Sequence, residues 1–215
     1  MRLHAFDLDH TLLHCNSSYH FSLFLLKKRR LSIISFLLNL FFYLGYKCSL
    51  LSMKKFHELA FHYFLKGASW DDLINLAREF SDRFFTKMLR KSAYLRLAEA
   101  KKKGDFTVIL SSSPSFLVEA IAEKLEISHF QATEYRMDRK QTLHSLGRVM
   151  QGDEKAKALK KYAKKHCIDT RNVIAYSDSL ADLPFLEAAG HAVVFRANRK
   201  LRKVSIHKGW ELLDV

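Results

Sequence analysis

Leu3-His4-Ala5-Phe6-Asp7-Leu8-Asp9-His10-Thr11-Leu12 is a short apolar run that ends abruptly in acids. The apolar part has the length and character of a buried strand. Two aspartates two residues apart, just past a strand end, can both face a cleft if the backbone turns there. One is then suited to act as a nucleophile or metal ligand, the other as a general acid and base. A plain turn that favours Asp accounts for the pair equally well. What lies further along the chain has to decide.

A second run, Phe106-Thr107-Val108-Ile109-Leu110, ends in Ser111-Ser112-Ser113-Pro114, after which Phe116, Leu117, Ile121, Ala122 and Leu125 recur at helical spacing. Residues 172–176 form a third apolar run, ending in Ser177-Asp178, and residues 192–195 a fourth. Between the second and third runs, residues 153–166 place Ala156, Leu159, Tyr162 and Ala163 on one helical face and lysines on the other. Strands alternating with helices predict an α/β fold with a Rossmann-like parallel sheet. Such sheets bind ligands beyond the C-terminal ends of their strands. Asp7, Asp9, Ser111 and Asp178 all fall just past strands, so they are expected at one edge. Residues 15–94 break the alternation and carry helical patterns such as Leu73, Leu76, Ala77, Phe80 and Phe84. They are expected to form an inserted α-helical cap domain, with residues 1–14 and 95–215 as the core. Residues 134–150 suggest a small hairpin. Only seven Gly and two Pro in 215 residues agree with long helices and few long loops.

Each polar tip has two explanations. Ser111 and Ser112, with the backbone N–H groups that follow, suit a phosphate cradle at a helix start. The same residues suit simple capping, with Ser113 as N-cap and Pro114 as first helical residue. Asp178 and Asp182, four apart, suit a magnesium site, since this hard cation prefers oxygen ligands. They also suit acidic capping of the next helix. Lys155, in Gly152-Asp153-Glu154-Lys155, can neutralise a transferring phosphoryl group, or simply lie on a solvated helix face.

Taken together in their order, these segments resemble the haloacid dehalogenase superfamily of phosphatases, in the branch that includes phosphoserine phosphatase. The four motifs are Phe6-Asp7-Leu8-Asp9-His10-Thr11-Leu12, Leu110-Ser111-Ser112-Ser113-Pro114, Gly152-Asp153-Glu154-Lys155 and Tyr176-Ser177-Asp178-Ser179 with Asp182-Leu183-Pro184. The resemblance implies a magnesium-dependent phosphomonoester hydrolase. Asp7 would form an aspartyl-phosphate, and Asp9 would protonate the leaving oxygen and then activate water. Ser111, Ser112 and Lys155 would hold the phosphoryl oxygens. Asp7, the backbone carbonyl of Asp9, and Asp178 would bind Mg²⁺, with Asp182 supporting them. His10 stands where the family often has Gly or Ser. Asn16 stands where phosphoserine phosphatases carry a glutamate for the substrate ammonium, which argues against an amine at that point.

The expected cap is unusually apolar. Leu31–Tyr46 runs sixteen residues without a charge, after Lys27-Lys28-Arg29-Arg30 and before Lys47, Lys54 and Lys55. As a helix it would reach about 24 Å, short of the roughly 30 Å hydrocarbon core. A single span would also part Asp7 from the later motifs. Basic flanks at both ends suit contact with the cytoplasmic face of an anionic membrane, and Ser32, Ser35 and Asn39 suggest a polar stripe on an interfacial helix. A buried cap helix or a dimer surface is the other explanation. Bacterial phosphatidylglycerophosphatases of similar layout also have an apolar stretch in this position. The resemblance thus makes a lipid phosphomonoester the leading substrate, with a soluble ester such as histidinol-phosphate or phosphoserine as the alternative.

The formal net charge of +14 attracts polyanions. Aromatic residues do not alternate with the basic clusters as a stacking platform requires, so nucleic acid is not the expected partner. Cys15, Cys48 and Cys167 form no CxxC, and the start of the chain has no apolar leader. Both features suit a reduced, cytoplasmic protein. Nothing in the sequence speaks to oligomeric state.

Overall fold

The computed structural model describes residues 1–213. Six parallel strands form one sheet in the order β3-β2-β1-β6-β7-β8. They are β1 (Leu3–Phe6), β2 (Phe106–Pro114), β3 (Phe130–Thr133), β6 (Val173–Ser177), β7 (His191–Phe195) and β8 (Glu211–Leu213). The short edge strands β3 and β8 had no counterpart in the sequence reading, and β2 runs four residues past Leu110. The remaining two strands, β4 (Tyr135–Met137) and β5 (Leu143–Leu146), pair antiparallel, as the expected hairpin does.

The chain winds outward from β1 to β2 and β3, then returns to the other side of β1 for β6 to β8. The sheet therefore reverses direction between β1 and β6, where Leu3, His4, Ala5 and Phe6 pair with Val173, Ile174, Ala175 and Tyr176. Open α/β sheets bind ligands at such a switch point.

Strand side chains alternate between two cores, as the two-residue period of a strand requires. Leu3, Ala5, Val108, Leu110, Val173, Ala175 and Val194 face one side, where they meet α7 (Gly152–Lys165) and α8 (Leu183–Glu187). Phe6, Ile109, Ile174, Tyr176, Val193 and Phe195 face the other. There they meet α5 (Lys91–Lys102) and α6 (Ser115–Lys124). A last helix, α9 (Arg199–His207), precedes β8.

Among the described residues, four helices precede α5 on the way from β1 to β2: α1 (Ser17–Lys27), α2 (Ile33–Lys47), α3 (Met53–Ala60) and α4 (Trp70–Met88). Each begins at a polar side chain that accepts a hydrogen bond from a first-turn amide, namely Asn16, Ser32, Ser52 and Ser69. The long apolar stretch stays whole as α2, which Ser32 starts and Ser52 separates from α3. An aromatic cluster joins α1 and α4 to the core, with Phe21 5.5 Å from Phe80 and 5.9 Å from Phe116.

Only part of the polar stripe expected on the apolar helix faces water, for Ser32 alone of its three residues is exposed. Ser32 is spent on the cap of α2 and bonds Ser35, while Asn39 turns into the cleft described below. The outward face of α2 is apolar instead, with Ile34 76% and Phe41 69% exposed. Among the described residues, no helix is long and apolar enough to cross a membrane.

Candidate active site

Asp7 is the first residue past β1, and its amide still donates to the Tyr176 carbonyl at 2.9 Å, so the sheet itself fixes its position. The backbone then swings through a wide turn. Asp9 is extended (φ −71°, ψ 133°) and His10 is left-handed (φ 59°). A left-handed non-glycine residue costs on the order of 1 kcal/mol, and histidine is among the residues that tolerate it. Leu8, Leu12 and Leu13, all fully buried, anchor the turn from below. Arg90 braces it from the side: its Nε donates to the Thr11 carbonyl and its Nη2 to the His10 carbonyl, both at 3.0 Å. Nothing in the sequence singled out Arg90, because the contact spans 80 residues.

Lys155 does not lie on a solvated face. It is 2% exposed, and its Nζ donates to Asp7 Oδ1 at 2.6 Å and to Asp182 Oδ2 at 2.7 Å. Asp182 Oδ2 also accepts from the Ser177 hydroxyl at 2.7 Å. Thr11 Oγ1 lies 3.3 Å from Asp7 Oδ2 and 3.5 Å from Asp178 Oδ1, so one hydroxyl sits between two carboxylates. Asp9 is held by the Ser17 amide at 2.7 Å and the Ser113 hydroxyl at 2.6 Å.

Burial pushes Asp7 up to about 8, helped by repulsion from Asp182 and Asp178 and opposed by Lys155. Burial likewise pushes Asp178 up to about 6, opposed mainly by His10. For Lys155, burial alone would favour the neutral amine, but Asp182 and Asp7 outweigh it and keep the ammonium charged. Lys155 thus bridges Asp7 and Asp182, and Asp178 lies across Thr11 from Asp7, so one buried ammonium serves three carboxyl groups.

The tips of β1, β2 and β6 therefore meet at one edge, and Asp7, Asp9, Asp178, Asp182, Lys155 and Ser112 line one cleft. Ser111 does not line it. That residue is buried, and its hydroxyl accepts from the Ser113 amide at 3.1 Å. Ser113 faces the cleft in its place, and the helix behind it begins at Ser115, one residue later than the capping alternative required. Asn16 reaches the cleft, but its carboxamide oxygen is engaged by the Tyr19 amide at 2.8 Å as the cap of α1.

The chain belongs to the haloacid dehalogenase-like hydrolase family, whose model matches residues 5–187. The family resemblance read from the four motifs is borne out. A probable phosphatase of Mycobacterium tuberculosis is 31% identical over 149 residues, covering 68% of this chain and 52% of that one. A phosphoserine phosphatase of the same organism is 26% identical over 218 residues, covering 97% and 69%. The chain thus spans about half the length of the first of these curated relatives. Among solved structures, a Bordetella pertussis protein of unknown function superposes with TM-score 0.88 at 23% identity, covering 99% of this chain and 98% of that one. A substrate-bound phosphoserine phosphatase superposes at 0.71 and 17% identity, covering 100% and 93%. These structures share the fold.

Proposed function

We propose that the protein hydrolyses small phosphomonoesters with a divalent cation, through a phosphoryl group carried on Asp7. The observation that carries this reading is the fixed carboxylate of Asp7. It lies at the switch point of the sheet, bonded to a buried ammonium and facing a second carboxylate across Thr11. Phosphoryl transfer asks for positioning and charge neutralisation above all.

The donor set fits magnesium. Asp7 and Asp178 converge on one hydroxyl, all donors are oxygen, and the site carries surplus negative charge. Magnesium is bound through one or two carboxylates plus waters and substrate phosphate. Asp7 and Asp178, with the backbone carbonyl of Asp9, would hold the ion. When bound, it would neutralise phosphoryl oxygens and align them for in-line attack.

A carboxylate oxygen of Asp7 forms the new bond to phosphorus as the bond to the leaving alkoxide breaks. Asp9 gives that oxygen a proton. Water then attacks the phosphoryl group and yields its proton to Asp9, releasing inorganic phosphate and restoring Asp7. Lys155 and the backbone at Ser112 hold phosphoryl oxygens throughout, and Asp182 keeps Lys155 in place. Phosphate release from soluble phosphomonoesters in Mg²⁺, with Asp7→Asn as the blank, tests the proposal. Activity that survives Asp7→Asn refutes it.

A lipid phosphomonoester is the second reading, favoured by one observation. Ile34, Leu37, Phe41 and Leu44 make an exposed apolar stripe on α2, and Leu50 beyond it is 80% exposed. Arg29, Arg30, Lys54 and Lys55 flank that stripe. A cytoplasmic membrane face rich in anionic lipid would suit it. Turnover of phosphatidylglycerophosphate in mixed micelles well above that of every soluble ester would favour this reading over the first.

A further inference from the structure

The cleft extends past the carboxylates into a wall built by α1, α2 and α3, and that wall has a distinct chemistry. Its apolar surface is largely aromatic: Phe36, Tyr43, Tyr46 and Phe56 line it beside Leu40 and Met53, with Phe56 6.1 Å from both Tyr43 and Tyr46. No carboxylate lies among the residues that these helices contribute. Two neutral polar groups face the same space. Asn39 Oδ1 is buried and has no hydrogen-bond partner. His57 is 8% exposed, and burial pushes its imidazole down to about 4, so it is uncharged at neutral pH. Among the described residues, the one cation that this wall contributes, Lys47, lies over the Tyr43 ring at 5.5 Å.

A buried acceptor left without a donor costs free energy until something supplies one. An aromatic wall pairs best with a flat, apolar group. The whole cleft, its carboxylate end included, has a cavity volume of about 170 Å³, and an apolar cavity of about 150 Å³ accepts one benzene ring, so the leaving group carries at most one ring. An ammonium would meet no carboxylate on this wall and would lose its hydration without replacement.

We propose that the substrate is the phosphomonoester of an uncharged alcohol that carries one flat ring with a hydrogen-bond donor. The ring lies among Phe36, Tyr43, Tyr46 and Phe56, and the donor bonds Asn39 Oδ1 beside His57. This selectivity rests on the phosphatase reading above and adds to it the leaving group. Asn39 is a specificity residue that touches the leaving group and takes no part in bond making.

The test compares 2-(4-hydroxyphenyl)ethyl phosphate, 2-phenylethyl phosphate and O-phosphoserine in Mg²⁺. All three release a primary alcohol, so ease of departure does not separate them. Both ring esters are expected to exceed phosphoserine in kcat/KM by at least about tenfold. Asn39→Leu should lower kcat/KM for the hydroxylated ester about tenfold more than for the plain one, as loss of a bond to a buried group predicts. The difference should appear in KM rather than kcat. Calorimetric titration of 2-(4-hydroxyphenyl)ethyl phosphate into Asp7→Asn protein, with and without Asn39→Leu, reads the same contact without turnover and should show a similar loss of affinity. Preference for phosphoserine, or equal losses on both ring esters and no change in affinity, overturns the proposal while leaving Asp7-dependent hydrolysis standing. Activity that is indifferent to Asp7→Asn overturns the phosphatase reading instead.

Discussion

Removing the charge of Lys155 without removing its bulk tests the centre of the structure. Lys155→Met keeps the stem packed beside the Phe185 ring, 5.7 Å from Nζ in the native chain, and deletes the ammonium. Two carboxylates now accept from that ammonium at 2.6 and 2.7 Å, and all three side chains are at most 8% exposed. Breaking a buried pair from one side leaves uncompensated charge and costs about 3–5 kcal/mol. Against a typical total of about 5–15 kcal/mol, that is a large share of the fold's stability. Urea denaturation followed by far-UV circular dichroism, with a chelator present, gives the number directly. The companion double variant Lys155→Met/Asp182→Asn removes one of the stranded charges and should recover at least about 1 kcal/mol, because it restores part of the balance. A loss below about 1 kcal/mol for Lys155→Met, or a double variant less stable than the single one, would refute the view that one buried ammonium neutralises both acids.

Three further outcomes are expected. His57 has a folded-state value of about 4 against an ordinary 6.5, so its contribution is present above pH 6.5 and is lost as pH falls towards 4. That shift corresponds to about 3 kcal/mol, and urea midpoints at pH 7 and pH 4.5 should differ less in His57→Gln than in the native protein. Equal differences would contradict it. Arg90→Ala removes two bonds to the turn that carries Asp9, and steady-state kinetics should show kcat reduced by about tenfold or more with KM little changed. A KM effect alone would mean that the turn holds its shape unaided. Gly152 lies where α7 meets the Asp178 loop, and a Cβ there would fall inside van der Waals contact of the Ala181 carbonyl oxygen. Gly152→Ala should cost about 1–3 kcal/mol. At about 2–4 °C per kcal/mol, a melting temperature unchanged by the substitution would show that the approach is looser than described.

What could be read from the sequence, and what could not, divides along physical lines. Strands β1, β2, β6 and β7 are buried on both faces, so their apolar runs were plain, and each motif sits where its run stops. The edge strands β3 and β8 bury little and left no such run. Lys155 reads in the sequence as one lysine among many, because its partners Asp7 and Asp182 lie 148 and 27 residues away. Ser113 suits a helix cap in the sequence, since it precedes a proline. Only the extension of β2 to Pro114 turns its hydroxyl towards Asp9. On α2, Asn39 turns into the cleft beside Phe36, Leu40 and Tyr43, while Ile34, Leu37 and Phe41 face outward. A helix apolar on both sides carries no amphipathic signal of which side is inward.

Leu13 and Leu89 pair across an antiparallel bridge, and the Arg90 amide donates to the Leu12 carbonyl at 2.8 Å. The 75 residues between those leucines therefore leave the core and rejoin it at neighbouring points. The entropy of closing such an excursion grows only slowly with its length. Helices can thus be lengthened, exchanged or deleted between the two leucines with little strain reaching Asp7, a tolerance that lets one phosphate-handling edge be paired with many different roofs.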